Sequence, residues 1–184
     1  FQISTTPGFV CGTDVNLLLS VTTASHGAFA VPVTLHSGST AFLPVRYDNN
    51  TVTNITDIGT IESTNTVSSW PGGPVAKIGV SLWLVAPFTS DMTLSLVAPN
   101  GDSVELSSGN GAAANFGTGS ADASRTTFDD AAAVSITAGV SPFVGTFRPE
   151  GSLASLLTAN PIGDWRLRIQ DSFGSGSPDT LRAW

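Results

Sequence analysis

Residues 75–100 read VAKIGVSLWLVAPFTSDMTLSLVAPN, and this stretch decides the fold class. Ala76, Ile78, Val80, Leu82 and Leu84 alternate with Lys77, Gly79, Ser81, Trp83 and Val85. Beyond a join at Pro87–Asp91, Met92, Leu94 and Leu96 alternate with Thr93, Ser95 and Val97. A period of two sends one set of side chains to each face of a strand, so both runs read as strands with one face inward. Pro99-Asn-Gly-Asp102 closes the unit with a turn.

The same signal recurs on both sides. Upstream, Val15, Leu17, Leu19 and Val21 alternate, a turn falls at Ser25-His26-Gly27, and Phe29, Val31, Val33 and Leu35 alternate again. This is a β-hairpin, and Pro32 marks it as an edge. Val52–Ile61 reads as strand, turn and strand, with Asp57 and Gly59 in the turn. Downstream, Ser103–Leu106 is a short strand, and Ser107–Ser124 is a Gly/Ala/Ser/Asn loop. A loop of that length is expected to be either mobile or clamped by a ligand or ion. Leu153, Leu156 and Leu157 carry helical spacing after Ser152, a candidate cap. Trp165, Leu167 and Ile169 form a strong strand, a Gly/Ser turn spans Asp171–Asp179, and Thr180–Trp184 begins a last strand. Many short strands with almost no helix predict an all-β chain, an antiparallel β-sandwich of jelly-roll or similar Greek-key type, with an extra N-terminal hairpin. Residues 1–45 are expected to be the tail of a preceding β-rich region or an extension packed on the main domain. Residues 46–184 form the sandwich.

Composition narrows the setting. Charged residues make up 11% of the 184 residues, against about a quarter in ordinary soluble domains. Ser, Thr, Asn and Gly supply the polarity, as in secreted or cell-surface β-proteins. The net charge is -7 with seven basic residues. No Lys/Arg cluster follows a phosphate backbone, which argues against nucleic acid as a partner. No run of apolar residues is long enough to span a membrane. Cys11 is the single cysteine, so no disulfide forms within the chain. Phe1-Gln-Ile-Ser carries neither an initiator Met nor a signal peptide. The expectation is a piece of a longer secreted protein whose upstream part supplies a partner for Cys11.

The chemical inventory is thin. His26 lies in a hairpin turn and His36 follows a strand, and no GxSxG elbow accompanies them. One Cys and two His do not make a zinc site. Glu62, Glu105 and Glu150 lie beside turns and strands with no aromatic-lined groove to hold a sugar. No catalytic residue is therefore assigned. Calcium draws on loop carboxylates and carbonyls. Asp91 in the join, the adjacent Asp129 and Asp130, and Asp57 and Asp102 in turns are the candidate ligands. These acids also serve as turn caps. Trp70, beside Pro71-Gly-Gly-Pro74, is the candidate binding-surface residue.

Six ordered pieces carry a family resemblance. They are Asp57-Ile-Gly-Thr-Ile61, Ile78–Leu82 with Ser90–Asp102, Thr127-Phe-Asp-Asp-Ala-Ala132, Pro142-Phe-Val-Gly-Thr-Phe-Arg-Pro-Glu150, Leu153–Asp171, and Thr180-Leu-Arg-Ala-Trp184. Together, over roughly residues 50–184, they resemble the P domain (P/homo B domain) that follows the catalytic domain in kexin- and furin-like proprotein convertases and in secreted bacterial proteases. The chain departs from the pattern where Pro87-Phe88 replaces a common histidine, where Met92 replaces Leu, and where Asp179-Thr180 replaces a frequent Gly. The resemblance implies a jelly roll fused to an extracellular, bacterial peptidase of serine or metallo class. It implies a non-catalytic role: stabilising the catalytic domain, or assisting secretion or substrate binding. The implied partners are that catalytic domain or an extracellular protein substrate, with the isolated domain a monomer and calcium a cofactor. The competing function is an autonomous extracellular module binding carbohydrate or a matrix protein.

Overall fold

The computed structural model describes residues 12, 14–36, 44–71, 73–174, 176 and 178–184; Cys11 lies outside them. The chain divides into two compact units, Phe1–Val45 and Arg46–Trp184. In the first, strands β1 (Asp14–Thr23) and β2 (Gly27–His36) form an antiparallel hairpin. Val15 faces Leu35, Leu17 faces Val33, Leu19 faces Val31 and Val21 faces Phe29, so the alternation places the apolar residues on one face.

The second unit is a β-sandwich. Its strands are β3 (Thr53–Ile55), β4 (Thr60–Val67), β5 (Val80–Val85), β6 (Met92–Val97), β7 (Ser103–Ser108), β8 (Thr126–Phe128), β9 (Gly145–Phe147), β10 (Gly163–Asp171) and β11 (Asp179–Ala183). One sheet has the order β4-β10-β6-β7 and the other β3-β11-β5-β8-β9. The two runs within 75–100 thus pair with other strands and lie in different sheets. Their join crosses the sandwich through a short 3-10 turn, Thr89–Asp91, in which Thr89 is buried. Along β5, Val80, Leu82 and Leu84 are buried while Ser81, Trp83 and Val85 are half-exposed. In β6, Met92, Leu94 and Leu96 are buried. Leu106, Phe128, Leu167, Ile169 and Leu181 belong to the same core. Burial of each such side chain contributes about 1.5–3 kcal/mol.

Three local features differ from what periodicity predicts. The β8–β9 pair is parallel, which the long 129–144 connection permits because a parallel pair needs a crossover. The 107–124 loop is anchored by its own apolar residue and needs no ligand to hold it: Phe116 is fully buried, exchanges backbone hydrogen bonds with Leu84 at 2.9 and 3.0 Å, and stacks on Phe143 at 5.1 Å. Gly117 follows at φ +78, and a Cβ there would sit 2.9 Å from the Ser124 carbonyl. The turn at Leu153–Leu156 is a 3-10 turn, and its cap is Asp130 rather than Ser152. Asp130 accepts the Leu153 and Ala154 amides at 2.9 and 2.8 Å and the Ser152 hydroxyl at 2.9 Å. Among the described residues no helix is long and apolar enough to cross a membrane.

Candidate metal centre

Three connections cross from one sheet to the other at the same end of the sandwich. β3 leads to β4 through residues 56–59, β5 leads to β6 through 86–91, and β10 leads to β11 through 172–178. Strand register stacks them. Ile55 faces Asp179 across β3–β11, Thr60 faces Gln170 across β4–β10, and Met92 faces Asp171 across β6–β10. The chain places an aspartate on each crossing: Asp57 on the first, Asp91 on the second, and Asp171 and Asp179 at the two ends of the third.

The local backbone explains why the acids point where they do. In the first crossing Ile58 takes φ +52, a left-handed conformation that costs a side-chain-bearing residue about 1–2 kcal/mol. A Cβ on Gly59 would collide with the Thr56 side chain. The Gly59 carbonyl accepts the Asp171 amide at 2.8 Å, tying the first crossing to the third. Asp57 Oδ2 accepts the Gly176 amide at 2.9 Å. Asp171 Oδ1 accepts the Phe173 amide at 3.1 Å, and the Asp91 carbonyl accepts the Ser172 amide at 3.0 Å.

The result is a group of three carboxylates, Asp57, Asp171 and Asp179, each offering an oxygen within 4.8 Å of the others. Asp171 and Asp179 are each only 2% exposed. Asp171 Oδ2 and Asp179 Oδ1 are buried with no hydrogen-bond partner in the structure. A buried acceptor without a donor costs about 1–3 kcal/mol, and more when charged. Burial pushes the Asp179 carboxyl up to about 7, and the charge of Asp171, a hydrogen bond shared with Asp171, and the charges of Asp57 and Asp91 push in the same direction. The basic side chains are engaged elsewhere. Arg46 pairs with Asp48 and Asp122, Lys77 with Asp129, and Arg166 and Arg168 with Glu62. Arg125 donates to the Ser120 carbonyl, Arg148 to the Ala132 carbonyl, and Arg182 lies over Trp83. Among the described residues no ion pair reaches Asp171 or Asp179.

These residues fit a divalent cation. Carboxylates grouped this closely lose their repulsion when a cation sits between them. An ion with oxygen contacts of about 2.3–2.6 Å bridges oxygens separated by this spacing. Water and loop carbonyls supply the remaining positions of such a shell.

The structure distributes the candidate ligands read from sequence differently. Asp57 belongs to the group. Asp91 lies at the same end of the sandwich, with its Oδ1 accepting from the Ser90 hydroxyl at 3.1 Å. Asp129 is instead held by Lys77 at 2.6 Å, which keeps its carboxyl below the usual range, and it accepts the Ala131 amide at 2.9 Å. Asp130 serves as the cap described above, and Asp102 accepts from Asn100 at 2.7 Å within its own turn. Asp129 and Asp130 are thus each engaged by protein partners. Asp171 and Asp179 are not among the acids that the sequence singles out, although both flank the Gly/Ser turn between two strands. Trp70 is half-buried, and its indole N–H donates to the Gly73 carbonyl at 3.0 Å.

Comparison with known proteins adds a family. Residues 75–184 match the model of the proprotein convertase P-domain. Among solved structures, the chain aligns with the Aeromonas sobria serine protease in complex with its chaperone, at 15% identity and a TM-score of 0.44, covering 91% of this chain and 35% of that one. It aligns with the same organism's serine protease at 14% identity and a TM-score of 0.43, covering 92% and 36%. The chain therefore spans about a third of the length of these structures. No curated protein sequence matches it. With more than half of its residues matched to one family model, this chain belongs to the proprotein convertase P-domain family.

Proposed function

We propose that this chain is the non-catalytic accessory module of a secreted protease. Its sandwich stabilises a catalytic domain on the same polypeptide and assists that enzyme's secretion or its hold on a protein substrate. The observation that carries this reading is the family match over residues 75–184. The parent is an extracellular bacterial peptidase of serine or metallo class, and the hairpin unit is the tail of a preceding β-rich region or an extension of the sandwich. Calcium is the cofactor of the Asp57–Asp171–Asp179 group: a hard cation that prefers carboxylate oxygens matches the donor set.

The test compares the natural polypeptide carrying this chain with a version lacking residues 46–184. Loss of secreted peptidase activity and a lower melting temperature of the peptidase are expected. Undiminished activity and stability would overturn the reading, as would peptide hydrolysis by the purified chain alone.

A further inference from the structure

The connection between β10 and β11 is fastened by the same carboxylates that form the cation group. Phe173 and Gly176 donate their amides to Asp171 Oδ1 and Asp57 Oδ2, and Ser172 donates to the Asp91 carbonyl. Asp171 and Asp179 are themselves the two ends of this connection. Anything that drives these acids apart therefore frees the Phe173 and Gly176 amides that they hold. Phe173 is 66% exposed, so an aromatic side chain is already presented to solvent beside a Gly/Ser sequence.

The strand beyond the connection matters to the whole unit. β11 lies between β3 and β5 in its sheet. It carries the buried Leu181 and Ala183 and leads to Trp184, whose indole donates to the Ser63 hydroxyl at 2.8 Å. Backbone bonds between Asn49 and Trp184, at 2.8 and 3.0 Å, join this end to the first residues of the unit. A break in the connection leaves an interior strand held only by non-covalent contacts, with its chain entropy restored.

We propose that a calcium ion held by Asp57, Asp171 and Asp179 latches the Ser172–Gly174 segment, so that the domain resists cleavage after Phe173 in calcium and is cut there when calcium is withdrawn. The inference rests on the reading of calcium as the cofactor of this group. Cleavage adds one water across the Phe173–Gly174 amide, giving a carboxylate on Phe173 and an amine on Gly174; an external chymotrypsin-like peptidase supplies the catalyst. Backbone enters a protease only after local opening. If the opened connection no longer assembles the three carboxylates, ion binding reduces the open population by the factor 1 + [Ca²⁺]/Kd. In a secreted protease the consequence is a module that is durable at extracellular calcium and self-limiting without it.

The experiment uses the whole chain, digested with chymotrypsin in calcium, in magnesium and in chelator, with cut sites mapped by mass spectrometry. A synthetic peptide of sequence SFGSGSP controls for any effect of calcium on the protease, and calorimetric titration and melting are run on the same samples. At calcium near 100 times Kd, cleavage after Phe173 is expected to slow by about 100-fold. Asp171→Asn is expected to lose that protection, and Phe173→Ala to remove the cut. No heat of calcium binding and no melting shift would overturn the cofactor reading itself. Binding with a melting shift but unchanged cleavage after Phe173 would overturn the latch alone, and this arm needs no variant to fold.

Discussion

Replacing Asp179 with asparagine is expected to stabilise the protein without calcium and to shrink the stabilisation that calcium brings. Asp179 is 2% exposed and titrates near 7, chiefly because burial disfavours its charge and then because Asp171 does. An unfolded aspartate titrates near 3.9. The folded pKa is raised, so this group's contribution is fully present below about pH 4 and is lost as pH climbs through about 7. At 1.36 kcal/mol per unit, ionising it in the native state costs on the order of 4 kcal/mol by pH 8. The amide removes that cost. In chelator, the stability difference between Asp179→Asn and the parent chain should be near zero at pH 4 and grow to a few kcal/mol at pH 8. For a chain of this size each kcal/mol corresponds to about 2–4 °C.

Calcium narrows the gap. An ion at 100 times its Kd adds about 2.7 kcal/mol to a chain that binds it only when folded, and the variant, lacking one of three carboxylates, gains less. The assay is thermal or urea unfolding of both proteins from pH 4 to pH 8, with calcium or chelator. Taking the difference between the two proteins cancels the other titrating acids. A difference that stays flat with pH in chelator, or a variant that keeps the full calcium shift, would refute the reasoning about a repulsive buried pair relieved by a cation.

Two further outcomes separate structural acids and aromatics from the metal centre. Asp130→Ala should lower stability by about 1–2 kcal/mol through loss of the cap on Leu153–Leu156, while leaving the calcium-induced melting shift unchanged; a lost shift would place Asp130 among the ligands. Phe116→Ala should cost about 3–5 kcal/mol, because the fully buried ring anchors the 107–124 loop on Phe143, and denaturant unfolding measures it; a cost below 1 kcal/mol would show that the loop is held by something else.

Where side-chain burial alternates with period two, local sequence carried the structure. β5, β6 and β10 were all legible, because Leu82, Leu84, Leu94, Leu96, Leu167 and Ile169 each enter the core from one face of a strand. β4 was legible only at its start. Its later residues, Glu62–Val67, are polar apart from Val67, since the strand lies at a sheet edge and buries only Ser63 and Val67. The anchor at Phe116 was hidden because a single aromatic in a Gly/Ala/Asn run has no periodicity to announce it. The cap by Asp130 was hidden because its partners lie 22 to 24 residues away.

The sequence by itself determined the all-β class, the family and the residue chemistry on offer: many aspartates, few cations and no catalytic set readable from motifs. Tertiary structure alone decided which aspartates meet. Asp129 and Asp130 are adjacent in the chain and are separately engaged, one by a lysine and one by backbone amides. Asp57 and Asp179 are distant in the chain and come together because β3 pairs with β11 while β4 pairs with β10, stacking the two crossings between sheets. Register between distant strands is set by the whole core, and no local pattern encodes it. The grouping of Asp57, Asp171 and Asp179 is a product of that register.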